Sequence, residues 1–123
     1  MEESELTGAV IGCSIEVHRE LGPGLLESTY ERCLAHEMEQ RDIAFRVQAP
    51  IAVRYKEAVI DCGFRADLIV DDRLIVELKA VEDVRPIHEA QRLTYMKLAG
   101  IRTGLLINFN VRVLKNGIKR FRR

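Results

Sequence analysis

Between Asp67 and Lys79 the chain reads D-L-I-V-D-D-R-L-I-V-E-L-K, and the charged residues at its two ends are types that work together in catalysis. Leu74 to Lys79 alternates as a strand does, placing Leu74, Val76 and Leu78 on one face and Ile75, Glu77 and Lys79 on the other. A carboxylate and an ammonium thus point the same way at the end of an otherwise apolar strand. Charged groups are rarely buried without a partner or a metal. If Asp67 joins them, the set is two carboxylates beside a fixed cation. Hard oxygen ligands of this kind suit Mg²⁺ or Mn²⁺, which keep several waters and share substrate phosphates. Such a metal polarises a phosphate and lowers the pKa of bound water, and the lysine positions that water or counters charge on the phosphorus centre. Metal-assisted phosphodiester hydrolysis uses all three. The plain alternative is a structural Glu77–Lys79 ion pair, which seldom adds stability over apolar residues.

The chemistry depends on register. The two apolar runs flank Asp71-Asp72-Arg73, as in a tight β-hairpin. Pairing Asp67 with Glu77 makes Val70 face Leu74 and leaves a three-residue loop. A two-residue turn would put Asp67 opposite Val76, on the wrong face. Three-residue loops prefer glycine in their left-handed position, and none is present here.

The elements around this hairpin follow from the patterning. Leu6, Val10, Cys13, Val17 and Leu21 predict a helix over 4–21, with Ser4 as N-cap and Gly22-Pro23-Gly24 as its stop. A second helix is expected from near Gly24 to about Gln40, with Leu26, Tyr30, Cys33, Leu34 and Met38 as its stripe. Gly24, Glu27 and Tyr30 then lie along one side, and a first-turn glutamate is favoured by the helix dipole alone. From Ile43 to Tyr55 the pattern alternates as a long strand, bent at Pro50, and Val59 to Arg65 makes a second strand leading into the Asp67 hairpin. Val84-Arg85-Pro86 opens a third helix that ends at Gly100. On it, Gln91 and Tyr95 are four apart and stack on one face, an arrangement ordinary on a helix surface. Thr103 to Phe109 reads as a strand buried on both faces, parallel to the Glu77 strand through a right-handed crossover. Val111–Leu114 and Ile118–Phe121, around Asn116-Gly117, read as a terminal edge hairpin. The order predicts one α/β domain over 1–123, a mixed sheet with helices on both faces.

Composition narrows the classes. Hydrophobic content of 47% with 31% charged residues describes a folded globular chain. No apolar run approaches the roughly 20 residues needed to span a bilayer, and the acidic M-E-E-S-E start lacks a signal peptide's basic region, so a cytoplasmic location without membrane contact is expected. Cys13, Cys33 and Cys62 are widely spaced and no histidine sits beside them at zinc-finger spacing, so buried thiols are expected. Net charge is zero, yet nine of the 19 Lys and Arg follow Glu89 and no Asp or Glu does. That leaves ten basic against 19 acidic side chains in residues 1–89, a net of −9. Lys115, Lys119 and Arg120 in the basic tail are candidates for a phosphate-facing, substrate-binding rim, against the plainer reading of a solvated last strand.

Asp67 followed by Glu77-Leu78-Lys79 resembles the PD-(D/E)xK nuclease signature, with Ala66 in the place of its optional proline. Gly24-Leu-Leu-Glu27-Ser-Thr-Tyr30 matches the GxxExxY motif that names a small family within that superfamily. The likeness continues through Gln48-Ala-Pro-Ile, Tyr55-Lys, Arg65-Ala-Asp-Leu, His88-Glu-Ala-Gln91, Lys97-Leu-Ala-Gly and Gly104-Leu-Leu-Ile-Asn-Phe-Asn. It implies a restriction-endonuclease-like αβββαβ core, here with an extra N-terminal helix and a C-terminal edge hairpin. It implies catalytic roles for Asp67, Glu77, Lys79, Glu27, Gln91 and Tyr95, with Asp67, Glu77 and Glu27 at a Mg²⁺ or Mn²⁺ ion. Lys79 would serve the attacking water, and Gln91 with Tyr95 resembles the Q-x-x-x-Y element of RecB-like nucleases. The expected partner is nucleic acid, DNA before RNA, in repair or the processing of branched DNA. A small chain with this core also resembles archaeal-type Holliday-junction resolvases, which act as homodimers. The alternative is a non-catalytic module that keeps the nuclease fold to bind nucleic acid or protein.

Overall fold

In a computed structural model that describes all of residues 1–123, the stripe Leu6, Val10, Cys13 and Val17 forms the buried side of helix α1 (Glu3–Leu21). Helix α2 (Glu27–Gln40) follows, buried through Tyr30, Leu34 and Met38. Strands β1 (Phe45–Tyr55), β2 (Ala58–Val70) and β3 (Leu74–Lys79), helix α3 (Pro86–Ala99), and strands β4 (Thr103–Asn108) and β5 (Ile118–Arg122) complete the chain. The sheet order is β1-β2-β3-β4-β5, antiparallel except for the parallel β3–β4 pair that α3 connects. This is the expected α/β restriction-endonuclease-like core.

Two apolar clusters cover the two faces. Leu68, Val70, Leu74, Val76, Leu78, Leu105 and Ile107 pack against α1 and α2, whereas Ile69 and Ile75 pack with Tyr95 and Met96 of α3. Strand parity decides the division, since alternate residues of β3 face opposite layers. Every residue of β3 except Lys79 is buried, Glu77 included.

Some local expectations need correction. Glu2, not Ser4, occupies the N-cap of α1, and α2 starts at Glu27 because Gly24 sits at φ +99°, outside any helix. Leu26 is consequently exposed and off the α2 stripe. β2 runs unbroken through Gly63, which instead marks a shift of register between Ile51 and Val53 of β1. The edge hairpin has only one of its expected arms. Ile118–Arg122 pairs with β4, while Val111–Leu114 bends into a 3₁₀ turn, η1 (Leu114–Gly117). Burial of Leu114 against the α1–α2 layer outweighs the propensity of that short run to be a strand.

Candidate active site

The β2–β3 hairpin has the three-residue loop that the chemistry requires. Asp71 and Asp72 take φ of +50° and +54°, conformations an Asp tolerates better than most residues. The Arg73 amide donates to the Val70 carbonyl at 3.0 Å. The Arg73 guanidinium holds Asp71 Oδ2 with Nε at 3.0 Å and Nη2 at 2.6 Å. Val70 pairs with Leu74, Ile69 with Ile75 and Leu68 with Val76, which brings Asp67 across from Glu77.

The regular ladder stops at Leu68–Val76. Beyond it the two carboxylates take over the backbone donors: the Leu78 amide donates to Asp67 Oδ2 at 2.7 Å, and the Asp67 amide donates to Glu77 Oε1 at 3.3 Å. Each carboxylate is thereby anchored through one oxygen at the fork between the strands. Glu77 is only 8% exposed. Burial first, and then the Asp67 charge, push its carboxyl up to about 9. Lys79 is half-buried and makes no ion pair, so the structural Glu77–Lys79 bridge is not formed. The end of β3 is nevertheless held firmly. The Phe109 amide donates to the Lys79 carbonyl at 2.9 Å, and the buried Asn108 side chain accepts from the Val81 amide at 3.1 Å and donates to the Val81 carbonyl at 2.8 Å.

Helix α2 reaches the fork through a different acid from the one expected. Glu27, the first residue of α2, is exposed and accepts no hydrogen bond. It lines a shallow cavity with Leu25, Leu26, Ser28 and Ala80. Glu31 lies one turn further on, a rise of about 6 Å along the axis, and there Gln48 Nε2 donates both to Glu31 Oε2 at 2.9 Å and to Asp67 Oδ1 at 3.3 Å. Burial and the Asp67 charge raise the Glu31 carboxyl, and the Gln48 bond opposes them. Gly24 and Tyr30 have architectural roles. The buried Tyr30 hydroxyl donates to the Gly22 carbonyl at 2.6 Å and accepts from the Leu25 amide at 3.1 Å, and its ring stacks on Phe109 at 4.4 Å.

Helix α3 carries Gln91 and Tyr95 to the other side of the fork, with Gln91 Nε2 donating to the Tyr95 hydroxyl at 3.2 Å. Burial, then the Glu77 charge, raise the Tyr95 hydroxyl above its ordinary range. Next to them Arg92 is fully buried. It donates from Nη1 to the Glu89 carbonyl at 3.0 Å and lies 3.2 Å from the centre of the Phe121 ring, while Nε and Nη2 have no partner. Burial lowers its guanidinium to about 10 against the charges of Glu89 and Glu77. The expected basic rim does not form as one surface. Lys119 is tied to Glu89 of α3 at 2.6 Å, Arg120 follows it on the opposite face of β5, and Lys115 stands apart on η1.

Four residues at or beside the fork had no role in the sequence reading. Glu31 was detectable, since it lies four residues after Glu27 and so on the same helix face. Gln48 and Asn108 fall in blocks of the family likeness that carry no assigned role. Arg92 gave no signal, being one more arginine on an amphipathic helix.

Hard oxygen donors fit a divalent cation here. Asp67 Oδ1 and Glu77 Oε2 are the carboxylate oxygens not bonded to a backbone amide, and two carboxylates with water and substrate oxygens suffice for Mg²⁺. The expected trio Asp67, Glu77 and Glu27 does not converge, and no three Asp, Glu, His or Cys side chains gather closely enough to hold a metal by themselves. The physical reason is the offset of Glu27 at the helix start.

A family model described as PD-(D/E)XK nuclease superfamily matches residues 4–121. No curated protein matches the chain, and no solved structure does. No helix is long and apolar enough to cross a membrane. With the Asp67–Glu77 fork followed by Lys79, and a family match that spans nearly every residue, the chain belongs to the PD-(D/E)XK nuclease superfamily.

Proposed function

We propose that the protein is a divalent-cation-dependent nuclease that hydrolyses phosphodiester bonds in DNA. The observation that carries this reading is the fork itself: two carboxyl groups, one of them buried, share a site and neither is closed by a salt bridge. Burial and the Asp67 charge favour the protonated form of Glu77 in the bare protein, and a bound cation favours the ionised pair that ligation needs.

Asp67 and Glu77 would hold Mg²⁺ or Mn²⁺, which when bound supplies Lewis-acid polarisation of the phosphate and a more acidic water. Lys79 lies on the same strand face as Glu77 with an unpaired ammonium, placed to orient that water or to offset negative charge at phosphorus. The backbone amides of Asp67 and Leu78 fix both carboxylates, so little reorganisation is needed at the moment of reaction. Tyr95, oriented by Gln91, borders the fork from α3 and contributes a hydroxyl for a substrate oxygen.

Linear duplex, single-stranded and four-way-junction DNA would be incubated with the purified protein in Mg²⁺, Mn²⁺ or EDTA. Metal-dependent cleavage is expected, lost in Asp67→Asn and in Lys79→Ala. Cleavage that survives either change refutes the site. Metal-independent binding without cleavage of any substrate would establish the alternative, a binding module built on the nuclease fold.

A further inference from the structure

Gln48 interrupts the β1–β2 ladder: Val47 pairs with Leu68 and Ala49 with Ala66, but Gln48 and Asp67 between them do not pair. Its backbone is left-handed, at φ +47°. One side-chain nitrogen then donates to carboxylates from two different elements, Glu31 on α2 and Asp67 on β2. An amide that donates to both offsets the repulsion between two like charges and fixes the distance between them. Glu31 and Gln48 also face solvent: with Ser28, Arg32 and His36 they line a groove of about 700 Å³ between α2 and β1. A hydrated ion has a route to Glu31.

We propose that Gln48 is a positioning residue that ties Glu31 to Asp67, so that Glu31 is the acid by which α2 serves the cation site. The inference rests on the reading of the fork as a metal site and names what completes it. Glu31 acts on the ion directly or through one of its waters, and Gln48 acts through Glu31. Outer partners of this type are worth about 10- to 100-fold in metal affinity.

Mn²⁺ binding, measured by calorimetry on the full chain, tests this without reference to activity. Glu31→Gln is expected to weaken binding by about tenfold or more, and Gln48→Leu by a similar factor. The double variant is expected to be no weaker than Glu31→Gln alone, because the two act as a unit. Glu27→Gln is expected to have the smaller effect of the two α2 acids. Thermal melts supply a second readout. Gln48→Glu exchanges the bridging donor for a third carboxylate, so it should melt lower than wild type in EDTA and gain more from Mn²⁺. A merely structural Gln48 would lower both melts equally. Wild-type affinity in Glu31→Gln, additive losses in the double variant, or equal melt changes with and without Mn²⁺ each overturn the inference. If wild type takes up no Mn²⁺, the metal site itself fails and this assignment with it. If wild type binds Mn²⁺ and cuts DNA while Glu31→Gln is unchanged, only the Gln48–Glu31 assignment falls.

Discussion

Replacing Arg92 by methionine should cost the metal-free protein little or no stability, although it deletes a charge, a hydrogen bond and a ring contact. The guanidinium is fully buried over β4, where a Cβ on Gly104 would lie 3.1 Å from its Cδ. Two of its three nitrogens lack partners. Holding it near 10 instead of 12.5 corresponds to about 3 kcal/mol against the charged form. Methionine keeps most of the volume and removes that penalty, but loses the bond to the Glu89 carbonyl, worth about 1.5–3 kcal/mol to a charged donor, and the Phe121 stack, worth about 0.5–2 kcal/mol. The two orphaned nitrogens are where that desolvation falls, so their cost is already inside the same figure. Loss and gain are of similar size, about 2–5 against about 3 kcal/mol, so methionine should come out close to wild type, as when other buried ionic groups give way to apolar ones. Arg92→Ala should go the other way, by about 2–4 kcal/mol, because it leaves a cavity between α3 and the sheet. Urea denaturation at pH 7 in EDTA separates the cases. If Arg92→Met is less stable than wild type by more than about 1 kcal/mol, Arg92 has compensation that its observed contacts do not contain, and the orphaned-guanidinium argument is refuted.

Three further outcomes follow from the same contacts. Glu77 carries its carboxyl near 9 in the fold against an ordinary 4.5, so the folded state keeps a proton that the unfolded chain releases; its contribution to metal-free stability is full below about pH 4.5 and is lost as pH rises towards 9, by as much as about 3 kcal/mol between pH 6 and 8. Glu77→Gln should flatten that decline in denaturant titrations, and an unchanged slope would refute the burial argument. Tyr30→Phe removes the hydroxyl that bridges Gly22 and Leu25 and should cost about 1–2 kcal/mol in the same assay, with the Phe109 stack retained. Gly117→Ala would drive its Cβ into the Asn108 carbonyl, and because backbone must move it should cost about 1–3 kcal/mol in thermal or chemical unfolding; a neutral result would show that η1 shifts freely.

Much of the fold is local information and was legible as such. Helix periodicity over α1 and α3, alternation over β1 and the glycines that stop α1 and α3 depend on neighbours within a turn or two, and the structure reproduces them. The terminal segment departs from its local pattern for the opposite reason. Val111–Leu114 has strand-like residues, but Leu114 is drawn into a core made by segments a hundred residues away.

At the site the division is the same. The types and spacing of Asp67, Glu77 and Lys79, with the apolar runs around them, identified the hairpin and limited its register to one productive choice. Only the tertiary structure selected that choice, by seating two aspartates in the left-handed conformation in place of a glycine. It also joined Glu31, and not Glu27, to Asp67 through Gln48, buried Arg92 without a full set of partners, and scattered Lys115, Lys119 and Arg120 over different surfaces. Each of those depends on the offset of one element against another, a distance of a few ångströms set by packing. Periodicity along one chain reports which face a residue occupies, but it does not report how far a neighbouring element has slid along that face.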